Sequence, residues 1–458
     1  MGALMNRPPD LATPIDVLVA GAGMAGLCAG LAAAEAGARV LVLEKGPAPG
    51  GSMRMSGGTV WTAPSMEVME RWAPLGDRAR QQTLVDGIDD GLAWLAGHGI
   101  PRTFDIENPR QTGAGIDVEV MTAGLVAAIE ARGGEVRTRS ALRELVRDAD
   151  GRVTGVVAAL GGRRTEIAAG AVILATGGFG GNKELVARYI TPNAETMLLR
   201  ANPRSVGDGL LAALDAGART SPNLATFYGH TMPLVDDLPP TQWVATTAYY
   251  TQDAVVLNAR GERFFDESIS MADEQAPAHI ARQPGGIAVV ILDDRVYRHA
   301  AGEQQSSTEP AANWDRAAAA GAPHAEAWTL EELAAAIGAW GFSPIGALDT
   351  LRAYNAAIAA GTAADLPVAR RGNRIGVVTP PFRALAVRAG ITFTLGGVDT
   401  DVAMRVLDRD GEVIPGLYAA GADAGGTYQG GYMGGLVLGL VHGGIAGTGA
   451  ASARSRTA

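Results

Sequence analysis

An α/β fold built on a Rossmann-like nucleotide-binding domain is predicted by three observations. A buried strand at 16–20 (DVLVA) runs straight into Gly21-Ala-Gly23-Met-Ala-Gly26 and an Ala/Leu-rich helix. A second buried strand at 39–43 (RVLVL) ends at the acid Glu44. Two further strand-and-glycine-turn segments lie far apart, at 171–178 and 411–421, so the domain draws on both ends of the chain.

Each part of the first unit has a physical role. Gly21 permits the tight turn, Gly23 lets the backbone approach a pyrophosphate, and Gly26 lets helix and strand pack closely. The helix N-terminus, at Met24 and Ala25, offers unpaired N–H groups and a positive dipole end to phosphates. Gly37 closes the helix. Glu44 lies 21 residues beyond Gly23, where an acid bonds adenosine ribose hydroxyls; Lys45 follows it. A second glycine/serine loop, Gly50-Gly51-Ser52-Met-Arg54-Met-Ser56-Gly57-Gly58, comes directly after. Its small residues would let main-chain amides and hydroxyls reach a pyrophosphate and a flavin. A nicotinamide domain needs neither this loop nor the distant turns at Thr176-Gly177-Gly178 and Gly421, so the expected cofactor is FAD. No histidine stands in the loop at 52–56, and FAD is expected to be non-covalent. Asp208, in Gly-Asp-Gly, either holds the cofactor or caps the helix that follows. Gly435, Leu436 and Val437 are expected to offer main-chain N–H groups.

Composition narrows the function. The 458 residues exceed one ordinary core and point to two domains. A formal net charge of −10 gives no electrostatic footprint for nucleic acid. The single cysteine, Cys28, excludes a disulfide framework and an iron–sulfur cluster and reads as a buried, inert thiol. No metal site is expected. The first fifteen residues lack the pattern of a signal peptide. The apolar stretch at 436–451 is interrupted by His442 and glycines and is too short for a span, so it reads as a buried helix. A cytoplasmic location follows as the expectation.

The motifs GAGMAG, GGSMRMSGGTVW at 50–61, ILATGGFGGN at 173–182, GDGL at 207–210, VLNARGERFFDE at 256–267, and TLGGVDTD with EVIPGLYAAGADAGG at 394–426 together resemble the flavoprotein family of fumarate reductases, succinate dehydrogenases and 3-ketosteroid dehydrogenases. The resemblance covers nearly the whole chain, and because many relatives place a ribityl-binding acid one residue before the position of Asp423, it implies Asp423 as a candidate cofactor-side acid. It implies a discontinuous FAD-binding domain, 1–226 and 384–458, with an inserted α+β substrate-capping domain at 227–383. It also implies formation or reduction of a carbon–carbon double bond next to a carbonyl or carboxylate. Fumarate reductases carry an acid-acting arginine shortly after the RF-x-x-E segment; here that position is Met271. Where they carry a histidine before Thr-x-Gly-Gly, Thr392 and Phe393 stand here, and their His-Pro-Thr survives as His230-Thr231. A site for two carboxylates should keep its cations. The segment Gly426-Thr-Tyr428-Gln-Gly-Gly-Tyr432-Met-Gly434-Gly435 is similar instead to the tyrosine-rich segment of the ketone-dehydrogenase branch, though the tyrosine that steroid enzymes place after RF-x-x-E is also Met271 here.

That branch implies dehydrogenation of a ketone, cyclic or steroid-like, between its α and β carbons. A donor polarises the carbonyl, a base takes the α proton, and the flavin accepts the β hydride. Tyr428 or Tyr432, with N–H groups near Gly434 and Gly435, are the candidate donors. His230, Tyr249 and Tyr250 are the candidate bases. Trp61, Trp243 and Phe393 are candidate walls of an apolar pocket. The expected partners are a small-molecule ketone and an electron acceptor that the sequence does not name, with no membrane span. An enzyme of the fumarate or tricarballylate type, acting on a carboxylate, is the alternative; Arg204, Arg374 and Arg383 are the cations that would support it. A third reading is a flavin-binding electron-transfer subunit that needs a metal-bearing partner.

Overall fold

The computed structural model describes residues 14–268, 272–298 and 310–453; Met271 lies outside them. The chain forms two compact units. The first comprises 1–185, 201–226 and 393–458, and the second 186–200 and 227–392.

The first unit is organised by a sheet of eight strands. Ile15–Ala20 lies at its centre, parallel to Val40–Leu43 on one side and Arg163–Leu174 on the other. Val413–Ala419 extends the sheet in parallel beyond Arg163–Leu174, and Glu135–Arg137 beyond Val40–Leu43. Residues 17–20, 40–43 and 171–174 of the central strands are buried, hence their unbroken Val/Ile/Leu/Ala runs. The register places Ala20 opposite both Leu43 and Leu174, and Ala419 opposite Leu174. The turns at Gly21, Glu44, Thr176 and Gly421 therefore leave the same carboxyl edge of the sheet, which is where open α/β sheets bind ligands. Four segments spread over some four hundred residues meet there because parallel pairing aligns their ends.

Against this sheet pack the helix Met24–Glu35 and the C-terminal helix. The latter contains a π-helical turn, Leu438–His442, continuing into Gly443–Ala453. Close packing depends on glycine: a methyl group on Gly447 would sit 2.2 Å from the Ala29 carbonyl oxygen. Cys28 is fully buried between these helices, and burial pushes its thiol far up from its ordinary value, so it stays protonated. No helix among the described residues is long and apolar enough to cross a membrane.

The second unit is built around the long strand Phe382–Thr394, all but its last two residues. It pairs antiparallel with Ile287–Leu292 and His324–Ala327, and parallel with Leu198–Leu199. These pairings explain why the unit differs from the expected 227–383 insertion. Residues 384–392 are an interior strand of its sheet, and Leu198–Leu199 bring 186–200 into the same unit. Leu330–Gly338 opens with a capping box between Thr329 and Glu332, and Pro344–Ala360 follows it.

Candidate functional site

The glycines of the first turn answer to three different demands. Gly21 has φ +110°, and a methyl group there would lie 2.1 Å from the Ala175 carbonyl oxygen. A methyl on Gly26 would lie 1.8 Å from the Gly21 oxygen. Both glycines hold the turn together. A methyl on Gly23 would meet nothing within 4 Å. Packing does not explain that glycine; a group seated over the helix N-terminus does. The second loop closes on the same spot, since a methyl on Gly51 would sit 3.2 Å from the Gly23 Cα, and Gly50 donates its N–H to the Ala22 oxygen at 2.7 Å. Ser52 and Gly57 are exposed beside it. Ser56 donates to the Met53 oxygen at 2.6 Å and accepts from the Gly58 N–H at 3.2 Å, which fixes the loop.

Glu44 is buried and accepts from Ala22 N–H at 3.1 Å and Gly46 N–H at 2.6 Å. Each carboxylate oxygen keeps a second lone pair for a hydroxyl. Lys45 is paired with Asp208. Asp208 is the first residue of the helix Asp208–Asp215, whose N-cap is Gly207, so it does not cap that helix. Asp423 departs most from expectation. Its carboxylate accepts from Thr176 N–H, from the Thr176 hydroxyl at 2.9 Å and from Gly178 N–H at 3.3 Å. Burial raises its pKa, and these bonds work against that rise. As placed, Asp423 braces the Thr176–Gly178 turn against the Gly421 turn. It is a positioning residue, since its oxygens face protein donors.

The candidate substrate residues of this unit do meet. The Tyr432 ring lies edge-on to Trp61, Phe393 and Tyr428, with centroids 5.6, 5.9 and 5.9 Å away. Its hydroxyl oxygen rests against Gly435, where a methyl group would come within 3.1 Å of it. Gly434, with φ +102°, is needed because a methyl there would strike the Trp61 carbonyl oxygen at 1.9 Å. The last helix starts here, so main-chain N–H groups of Gly435, Leu436 and Val437 lie at its N-terminal end. Tyr428 is different from Tyr432: it is fully buried and donates its hydroxyl to the Met433 oxygen at 2.8 Å. Burial raises its pKa well above the ordinary phenol value. Its proton is committed within the protein, which argues against the donor role.

In the second unit, His230 and Tyr228 sit two apart on the strand Phe227–Pro233, with the Tyr228 hydroxyl 2.9 Å from His230 Nε2. Tyr249 lies edge-on to the same imidazole at 5.5 Å. Burial, and then the charge of Arg200, hold His230 well below its ordinary pKa. An imidazole that resists protonation is a poor base, which argues against the role expected for it. Tyr250 also departs from expectation. It is 1 % exposed within the apolar core with Val256, Phe265 and Val290, and burial drives its pKa far up. It packs, as does Trp243 against Leu198, Met232 and Leu238. Of the cations anticipated, Arg383 is spent on Asp294 and Glu326, and Arg374 is exposed. Arg204 belongs to the first unit, beside Gly46.

The model for the FAD binding domain family matches residues 16–435. The chain belongs to that family. The flavoprotein is 30 % identical to probable fumarate reductase Ifc3 of Shewanella frigidimarina over 90 % of this chain and 70 % of that one. It is 26 % identical to 3-oxosteroid 1-dehydrogenase of Mycobacterium tuberculosis, over 89 % and 92 %. Among solved structures it resembles a 3-ketosteroid-Δ4-(5α)-dehydrogenase from Rhodococcus jostii RHA1 in complex with 4-androstene-3,17-dione, with a TM-score of 0.73, 25 % identity, and 96 % and 97 % of the chains covered.

The flavoprotein is thus an FAD-dependent oxidoreductase, and its residues fit the cofactor. The open face at Gly23, with the Gly51 backbone pressed to it and the acid Glu44 at the neighbouring strand end, is a dinucleotide cradle. FAD, when bound, supplies a hydride acceptor or donor at its N5. Two residues escaped the sequence reading: Arg200, which looked like any basic residue after a strand, and Tyr228, whose meaning comes only from strand alternation beside His230.

Proposed function

We propose that this FAD-dependent oxidoreductase catalyses α,β-dehydrogenation of a ketone, cyclic or steroid-like, or the reverse reduction of its enone. The observation that supports this most is the setting of Tyr432: a half-buried phenol walled by Trp61, Phe393 and Tyr428, resting on the first residues of a helix. An aromatic surface with a hydroxyl and a helix N-terminus suits a neutral carbonyl that gains negative charge as the α proton leaves. Tyr432 would donate to that oxygen, and the helix N–H groups would add their dipole. The second unit takes the substrate-capping role in this proposal.

A second reading, oxidoreduction beside a carboxylate, is favoured by Arg200, a half-buried cation of the second unit, and by the likeness to a fumarate reductase. Anaerobic titration of the purified holoprotein separates the two. A panel of saturated cyclic ketones, steroids, succinate and tricarballylate would be added while the flavin band is followed, and enones would be offered to dithionite-reduced enzyme. Bleaching by a ketone, or reoxidation by an enone, is expected. Response to the di- or tricarboxylates alone would overturn the ketone reading.

A further inference from the structure

In the second unit Arg200 is a cation with no acid against it among the described residues. Arg200 follows the strand Leu198–Leu199, and its own N–H bonds the Ile391 oxygen at 2.9 Å, so parallel pairing fixes its backbone. From there Nη1 donates to the Thr392 hydroxyl at 3.2 Å. That oxygen is the only acceptor its side chain meets among the described residues, and its Nε is buried with none. The contrast with the unit's other internal arginines is sharp: Arg263 and Arg370 share Glu267, Arg383 holds Asp294 and Glu326, and Arg388 reaches Asp236. Desolvating a guanidinium without a counter-charge is costly, so a half-buried arginine lacking an acid is a place where an anion is favoured.

The neighbours of Arg200 point the same way. Its charge acts on His230, and the Tyr228 hydroxyl bonds that imidazole. Arg200, Thr392 and Tyr228 are all half-buried, so solvent and small solutes reach them.

We propose that Arg200, positioned by Thr392, is a recognition site for an anionic oxygen of the substrate. The chemistry recognised is a carboxylate carried by the substrate, a group distinct from the carbonyl that Tyr432 would polarise. The proposal rests on the reading of the chain as an oxidoreductase acting beside a carbonyl, but it is tested by binding.

The test uses full-length holoprotein, titrated calorimetrically at low ionic strength with propionate, with succinate and with p-nitrophenolate as an enolate mimic. Arg200→Gln, Arg200→Lys and Thr392→Val would be compared with wild type, with FAD content and melting temperature measured for each. Loss of a charge-assisted hydrogen bond should weaken binding roughly ten- to hundredfold in Arg200→Gln. Arg200→Lys should recover part of it, and Thr392→Val should weaken binding less than Arg200→Gln. Preference for the carboxylates is expected; binding of the phenolate alone would overturn a carboxylate site. If wild type binds none of the three, or if Arg200→Gln binds them within twofold of wild type at unchanged FAD content and melting temperature, the proposal is overturned. That outcome would leave the ketone titration unaffected, so the two failures are distinguishable.

Discussion

Gly23→Ala and Gly26→Ala should fail in different ways, and the difference locates the cofactor. At Gly26 the new methyl lies 1.8 Å from the Gly21 oxygen, which belongs to a turn that cannot shift without moving the strand behind it. Overpacking of this kind costs about 1–3 kcal/mol and sometimes more, and contact with backbone oxygen puts this case at the upper end. At Gly23 the methyl meets nothing, and the backbone, φ −79° and ψ −171°, is open to alanine. The lost chain entropy of glycine, about 0.4–1 kcal/mol in favour of alanine, offsets its weaker capping, so apoprotein stability should stay within about 1 kcal/mol. The same methyl would occupy the space for the pyrophosphate and cost main-chain bonds to it. FAD affinity should fall roughly ten- to hundredfold, as for loss of one hydrogen bond to a charged group. Urea unfolding of apoprotein and fluorescence titration with FAD measure the two effects separately. A Gly23→Ala protein that binds FAD as wild type does would refute the placement of the pyrophosphate.

Two further outcomes follow from buried groups of the first unit. Asp423→Asn replaces one acceptor oxygen by a donor facing the Thr176 and Gly178 amides, and should lower stability by about 1–3 kcal/mol and weaken FAD binding, as read by urea unfolding and fluorescence. His442 is fully buried against Arg80 and Thr83, and burial lowers its pKa to about 4. The unfolded chain binds this proton at higher pH than the folded one, so stability should decline as pH falls from the ordinary histidine range toward 4. The loss has an upper limit of about 3 kcal/mol, and a urea series in wild type and His442→Asn should show a flatter acid limb in the variant.

The nucleotide-binding half was readable because its signals are local. A buried strand, three spaced glycines and an acid one strand later each state their own geometry, and parallel pairing then gathers Gly21, Glu44, Thr176 and Gly421 at one edge. The roles of the polar side chains were less legible. Asp423 and Tyr428 look like ligand-facing groups in sequence, yet their partners, Thr176 and Met433, show that they hold loops in place. Tyr249 and Tyr250 are indistinguishable in sequence, and only the fold turns one toward His230 and the other into the core. Arg200 carries no local signal, because its significance is that no acid distant in the chain is brought against it among the described residues.

The most direct test of the proposed chemistry is the single-turnover rate of flavin reduction in Tyr432→Phe, with the ketone that the titration identifies. Loss of one oxyanion donor is expected to slow the step by roughly 10²–10³-fold, with FAD content and spectrum unchanged. A rate within a few-fold of wild type would contradict Tyr432 as the carbonyl donor and remove the main support for a ketone substrate.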